Sequence, residues 1–254
     1  MRVRLKGLNS KRKTLADGSV VTYWYAWKGG PRLKGEPGTP EFVASYNDAI
    51  NRSRFPNRGA LRFTRKNTAA VFYKAQGNVP FDAKNWTGTV SFWLKLDPGQ
   101  ELEPGYCDPL QITGKAYNDS AVWVDFTKDD KPRHFRLGVF GALKEWNPGN
   151  VESDKNPAFN GRLVVVKQAP FRRDRWTHVA IAYEKLGSGA GKARLYLNGE
   201  PRGETPAIAE GFAWDVSRGA LRLGLNYTGL FDDLAVFRRA LNHQEIRALA
   251  RGRW

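Results

Sequence analysis

The sequence predicts an all-β protein, a two-sheet sandwich of the jelly-roll kind, preceded by a small N-terminal three-stranded sheet plus helix. Three observations carry this expectation. Short apolar or alternating runs follow one another from residue 60 to residue 237 with no long helical pattern between them. The 26 glycines and 14 prolines are scattered without a period, as a fold with many tight turns requires. Finally, residues 176–200 hold two alternating runs, 179–183 and 193–197, joined by a Gly-rich loop and closed by Asn198-Gly199. That pattern is a hairpin followed by a tight turn. Alternation buries one face of each strand, so the hairpin belongs to a larger sheet lying on a second layer.

At the N-terminus Arg2, Arg4 and Lys6 alternate with Val3 and Leu5, which predicts a short strand with one basic and one apolar face. Residues 11–15 and 20–28 read as a hairpin about an Asp17-Gly18 turn, with Val21, Tyr23, Tyr25 and Trp27 on one side of the second strand. Thr39-Pro40-Glu41 then supplies an N-cap, a first-turn proline and an acid, and Phe42, Val43, Tyr46, Ala49 and Ile50 recur at helical spacing. Residues 1–54 carry 11 Lys and Arg against 4 Asp and Glu.

From residue 55 to residue 254 the expectation is one sandwich domain. Its strands are expected at 60–63, 69–73, 88–96, 121–126, 134–140, 162–167, 179–183, 192–197, 220–225 and 231–237. A single late helix begins at Asn242, whose N-cap side chain and Glu245 three residues on form a capping box by position.

With 254 residues and 41% hydrophobic content, the chain can bury one substantial core. A formal net charge of +16 favours polyanionic partners, or else describes a basic surface kept soluble by its own charge. The lone Cys107 excludes an internal disulfide and a cysteine metal cluster. No apolar run is long enough to span a membrane, so no membrane insertion is expected. No signal peptide is legible in the basic first residues, so the chain as given is expected in the cytoplasm, and outside the cell only if residues 1–54 are a fused or misjoined start.

The run RVRLKGLNSKRKTLADGSVVTYWYAWKGG and its continuation to about residue 50 resemble the N-terminal region of phage-type integrases of the tyrosine recombinase family. The resemblance implies a DNA-binding unit in which Arg2, Arg4, Lys6, Lys11, Arg12 and Lys13 meet the phosphate backbone, with salt-dependent affinity. No recombinase catalytic order follows: His243 and Arg247 are four apart, and no tyrosine comes after them.

GTVSFWLKL, RWTHVAIAY, ARLYLNGEPRG and GALRLGLNYTGLFDDLAVFRRALNHQEIRALARG, taken in order, resemble the laminin-G-like, concanavalin A-like lectin/glucanase superfamily across residues 57–252. The resemblance implies a concanavalin A-like β-sandwich, and says less of the ligand, because one fold hosts many functions. The Glu-x-Asp-x-x-Glu strand of the superfamily's glucanases has no counterpart here. Glu152, Asp154, Asp125, Asp129 and Asp130 lack its spacing and are read as solvated loop acids. Neither glycoside hydrolase nor recombinase chemistry is expected, a hydrolase being only a remote alternative. The expected function is a non-catalytic module that binds a glycan or protein partner through its loops, with DNA binding through residues 1–54 as the alternative.

Asp232, in the Asp pair before the last strand, matches a position the superfamily often places near a structural calcium; the opposing role is an Asp that accepts backbone N–H bonds. His178 is expected to be structural, and Cys107 an inert thiol. Trp93, Trp123, Trp146 and Trp214 are candidate sugar platforms or core fillers, with Trp93 and Trp176 expected in the interior. Trp146, within residues 144–150, is the exposed candidate for touching a ligand.

Overall fold

Alternation along the strands sorts apolar side chains to one face and sets up two sheets that share one dry interior. The computed structural model describes residues 8–37, 39, 41–42, 45–46, 49, 60–67 and 71–252. The chain divides into two compact units, 1–59 with 251–254, and 60–250.

In the smaller unit β1 (Asn9–Thr14) pairs antiparallel with β2 (Val20–Tyr25), Lys11 lying opposite Tyr23. Residues 41, 42, 45, 46 and 49 are helical, and Phe42 and Ala49 are buried with Ala26 and Leu33. The expected strand at residues 2–6, with Arg2, Arg4 and Lys6, lies outside the described residues, as do Val43 and Ile50. The aromatic strand β2 meets the helical segment through Trp24, whose ring lies edge-on to Phe42 at 6.2 Å. Period two therefore turns Tyr23 and Tyr25 to the opposite face, where they carry Arg32 (4.0 Å) and Lys11 (5.9 Å) over their rings.

The larger unit holds two six-stranded antiparallel sheets. Sheet I comprises β3 (Leu61–Phe63), β5 (Trp86–Lys95), β10 (Thr177–Leu186), β11 (Lys192–Leu197), β12 (Glu200–Glu204) and β14 (Gly229–Phe237), in the order β12-β11-β10-β5-β14-β3. Sheet II comprises β4 (Val71–Lys74), β6 (Cys107–Thr113), β7 (Ala121–Phe126), β8 (Phe135–Phe140), β9 (Val164–Val166) and β13 (Ala220–Leu225), in the order β4-β13-β6-β7-β8-β9. Val90, Phe92 and Leu94 of β5 and Val179, Ile181 and Tyr183 of β10 meet Val122, Val124 and Phe126 of β7 and Leu137 and Val139 of β8 in one buried cluster. This is the sandwich that the strand pattern predicts.

Two strands escape the sequence reading. β6 has Pro109 inside it and a register shift between Cys107 and Leu110, so its pattern is broken where a strand signal is sought. β12 reads Glu-Pro-Arg-Gly-Glu and is exposed throughout, an edge strand with no apolar face to betray it. The β11–β12 turn is as expected: Asn198 and Gly199 both have positive φ, 54° and 82°, as a type I′ turn requires.

Short helical turns decorate the loops: α1 (Pro98–Glu101), α2 (Leu143–Trp146) and α3 (Pro157–Asn160). The C-terminal helix α4 (His243–Ala250) begins with the expected capping box, in which Asn242 Oδ1 accepts from the Glu245 N–H at 3.0 Å and Glu245 Oε2 accepts from the Asn242 N–H at 2.9 Å. Hydrogen bonds from Arg239 hold the Glu245 carboxyl down at about 2. Ile246 and Leu241 cover Ala180, Ala182 and Tyr196 on the outer face of sheet I.

The centre of the core is rigidly matched. Phe92 and Phe231 stack at 5.0 Å with planes 7° apart, and both are fully buried. Phe92→Ala is expected to destabilise the fold by about 3–5 kcal/mol in urea denaturation, against less than about 0.5 kcal/mol for the exposed Val20→Ala.

Candidate functional site

With the inner faces committed to the core, chemistry falls to the outer faces and loops. On sheet II the same alternation that buries Val122 and Val124 turns Ala121, Trp123 and Asp125 of β7 outward, beside Arg136, Gly138 and Phe140 of β8. The register places Trp123 opposite Gly138 and Asp125 opposite Arg136. A Cβ at residue 138 would collide with the Trp123 ring, so glycine alone lets the indole lie across β8.

Residues 143–163 fold back over this face. Phe159 stacks with Phe140 at 4.8 Å and lies near-parallel to Trp123 at 6.3 Å. Trp146 tilts against Phe140 at 5.0 Å, donates its indole N–H to the Asn118 carbonyl at 3.2 Å, and carries the Arg162 guanidinium over its ring at 5.3 Å. Arg162 is itself held by both carboxylate oxygens of Glu210. Trp146 is therefore a wall support only 8% exposed, not the exposed loop aromatic expected from its setting among polar residues.

Between these walls and the 105–108 and 117–119 segments lies a cavity of about 130 Å³, lined by Tyr106, Asp108, Tyr117, Trp123, Asp125, Arg136, Ser153 and Phe159. Its polar floor is tightly wired. Arg136 Nε donates to Asp125 Oδ1 at 2.8 Å and its Nη2 to Asp125 Oδ2, a bidentate pair on neighbouring strands. The Arg136 guanidinium also lies over the rings of Tyr106 (5.1 Å) and Trp123 (5.8 Å). Asp125 is thus corrected from solvated loop acid to buried strand residue, 4% exposed. Beside it Asp108 accepts from the Gln111 amide, and burial together with the nearby Asp125 charge pushes its carboxyl up to about 7. At the rim the Tyr117 and Ser153 hydroxyls are 2.8 Å apart.

The other expected residues stand elsewhere. Lys11, Arg12 and Lys13 are exposed on β1, and alternation puts Lys11 and Lys13 on one face and Arg12 on the other. Asp232 Oδ1 accepts the backbone N–H of Asp233 at 2.8 Å, where β14 shifts register between Asp232 and Ala235. Among the described residues no three His, Cys, Asp or Glu side chains are grouped together. Trp93 and Trp176 are half-buried rather than interior, Trp93 because period two turns it to the outer face of sheet I. Trp214 packs against the core and donates its indole N–H to the Ser120 carbonyl. The Cys107 thiol is buried and pushed up to about 11 by that burial.

His178 is fully buried, with Nε2 2.8 Å from Ser91 Oγ, its ring 5.0 Å from Trp93, and its pKa pushed down by burial to about 4.

The chain matches the Laminin_G_3 family, described as the concanavalin A-like lectin/glucanases superfamily, over residues 73–247. No curated protein matches it. Among solved structures it is similar to the CBM40 of the Ruminococcus gnavus IT-sialidase, at 14% identity and TM-score 0.48, covering 76% of this chain and 97% of that one. It is also similar to the heptameric SAP-like pentraxin of Limulus polyphemus, at 16% identity and TM-score 0.40 over 78% of this chain and 77% of the other. The leech intramolecular trans-sialidase is a third, at 18% identity and TM-score 0.46 over 77% of this chain and 27% of that one.

His178 and Asp108 give opposite pH signatures. A histidine depressed from 6.5 to about 4 contributes stability that is full above the unfolded pKa and is lost as pH falls from 6.5 towards 4, up to about 3 kcal/mol. A carboxyl raised from 3.8 to about 7 contributes stability that is full below 3.8 and is lost as pH rises towards 7. Asp108→Asn is therefore expected to gain urea midpoint relative to the parent as pH rises from 4 to 8, whereas His178→Asn loses most of its deficit on acidification. Parallel pH profiles of variant and parent would contradict the two assignments.

Proposed function

The chain belongs to the concanavalin A-like lectin/glucanases superfamily, and from that premise we propose that it is a non-catalytic glycan-binding module whose sheet II cavity receives one sugar ring. The observation that carries the reading is the pairing of an aromatic wall with a fixed polar floor in one small cavity. Trp123 and Phe159 offer apolar surface, and Asp108, Asp125 and Arg136 offer hydrogen-bonding groups already held in place. A sugar ring has a C–H face and a hydroxyl rim, and such a cavity meets both at once. The floor needs little reorganisation, because the Arg136–Asp125 pair is formed in the free protein.

Absence of catalysis is part of the proposal. Glycoside cleavage through a carboxylate pair needs one carboxylic acid and a second carboxylate free to attack or to activate water. At this cavity both oxygens of Asp125 are engaged by Arg136, leaving Asp108 as the other carboxyl.

Tyr117→Ala, which removes an exposed rim ring, and Trp123→Ala are each expected to weaken glycan binding by about tenfold, or ~1.4 kcal/mol. A glycan array followed by calorimetry on the best hit measures this, with the exposed, remote Tyr73→Ala as control. A blank array, or variants that bind like the parent, would remove the proposal.

A second reading rests on the smaller unit, where Lys11, Lys13 and the Arg32-capped Tyr23 share one exposed basic face. It assigns duplex DNA binding to that face. Lys11→Glu with Lys13→Glu is expected to abolish low-salt DNA retention, and the parent's log affinity should fall linearly with log salt. A parent chain that fails to shift duplex DNA in about 50 mM salt would sink this reading.

A further inference from the structure

At the β3 edge of sheet I, β3 and β5 bring Arg62 and Lys95, and the loop after β9 brings Arg173, to the lining of a cleft of about 580 Å³. Register explains two of them. Leu230 lies opposite Arg62 on one side and opposite Lys95 on the other, so Arg62, Leu230 and Lys95 form one cross-strand row. Residues opposite each other share a face, and two strand spacings place the Arg62 and Lys95 backbones about 10 Å apart. Neither cation is in an ion pair among the described residues. The third, Arg173, reaches in from the loop after β9 and lies 3.6 Å from Glu101.

Three cations around one cleft repel one another, and the single acid does not neutralise them. Glu101 is engaged through one oxygen: its Oε2 accepts the Asp97 N–H at 2.5 Å and lies 3.6 Å from Arg173 Nε, which leaves Oε1 to face the cleft's ligand. The cleft therefore keeps an excess of positive charge over a half-buried aliphatic floor, Leu230. We propose that this cleft is a second ligand site, one that takes the sulfate or carboxylate group of an acidic saccharide between Arg62, Lys95 and Arg173.

The lining separates this ligand from a nucleic acid strand. Single strands are gripped by aromatic faces on which bases stack. Here the one ring, Phe63, packs edge-on against the buried Tyr227 at 5.7 Å, with planes 71° apart, and sits within van der Waals reach of Gly224. The Glu101 carboxylate inside the cation cluster disfavours uniformly charged phosphodiester and accepts from sugar hydroxyls instead. A ligand with isolated anionic groups among hydroxyls matches both features.

The test uses the full chain, with a sulfated heparin-derived disaccharide, inorganic sulfate and a single-stranded oligodeoxynucleotide as separate probes in calorimetry. Arg62→Gln with Lys95→Gln is compared with Arg202→Gln plus Arg222→Gln, exposed cations on β12 and β13 whose loss changes the net charge equally. All four side chains are outside the core, and circular dichroism checks the fold of each variant. The parent should bind the disaccharide at about 50 mM salt and release it as salt rises, with the cleft variant at least about tenfold weaker and the control within about twofold. Inorganic sulfate should bind more weakly than the disaccharide. The proposal is overturned if the parent does not bind, if both double variants lose affinity equally, if sulfate matches the disaccharide, or if the oligonucleotide binds through the same two residues more tightly. Trp123→Ala should leave this titration unchanged, so failure at the aromatic cavity and failure at the cleft are told apart.

Discussion

Everything in the larger unit depends on the dry interface between two sheets. Each strand must give one of its two faces to that interface, and the choice is made once per strand, because a one-residue slip would move every side chain to the other side. The stacked Phe92–Phe231 pair at the centre, with Val90 and Leu94 on the same strand, leaves no room for a polar group. Polar and aromatic residues at the intervening positions are thus forced together on the outer faces. There the register, not proximity in sequence, decides their neighbours: Asp125 meets Arg136 and Trp123 meets Gly138 only because β7 and β8 pair as they do.

That separation explains what could be read from the chain alone. Core strands such as 192–197 and 220–225 were legible because apolar alternation is a local signal, and their limits agree with β11 and β13. The capping box at Asn242 and the turn at Asn198-Gly199 were legible for the same reason, each being complete within four residues. β12 and β6 were not, since one has no buried face and the other carries a proline and a register shift. The cavity on sheet II was illegible as a site, although its parts were in view. Nearness in sequence groups Asp125 with Asp129 and Asp130, whereas period two along β7 puts it on the face of Trp123. Gly138 inside a strand was the remaining cue, since a glycine there marks close approach by another group. Asp108 had no local cue, because what raises its carboxyl comes from burial and from Asp125 across the sheet.

Trp146 shows how composition misleads about exposure. Trp146 sits among Lys, Glu, Asn and Pro, a setting that reads as surface, yet its ring is covered by Phe140, Phe159 and Arg162. The segment that carries it is held by groups far along the chain. Glu145 accepts the Gly211 N–H, Asp119 accepts the Leu143 N–H, and Glu210 holds Arg162. These three fastenings turn a polar loop into a fixed wall, of which Ser153 and Phe159 reach the cavity.

The Arg136–Asp125 pair bears on why such a floor exists. A buried ion pair is a weak source of stability, because desolvation of both charges offsets most of their attraction, and an apolar pair of similar volume is often as stable or more so. Here the cost is compounded by Asp108, whose carboxyl is raised by its burial and then by the same Asp125 charge. The outer face of sheet II at residues 121 and 140 shows that this layer accepts apolar packing readily, since Ala121 and Phe140 are fully buried there. Beyond the next outward pair, Trp123–Gly138, the same two strands carry charge instead, Asp125 opposite Arg136, at the place where the aromatic wall ends and the cavity opens. Stability alone would extend the apolar layer across that position; under the proposed function, a ligand that needs fixed hydrogen-bonding groups beside an aromatic surface is the reason for a floor that folding does not require.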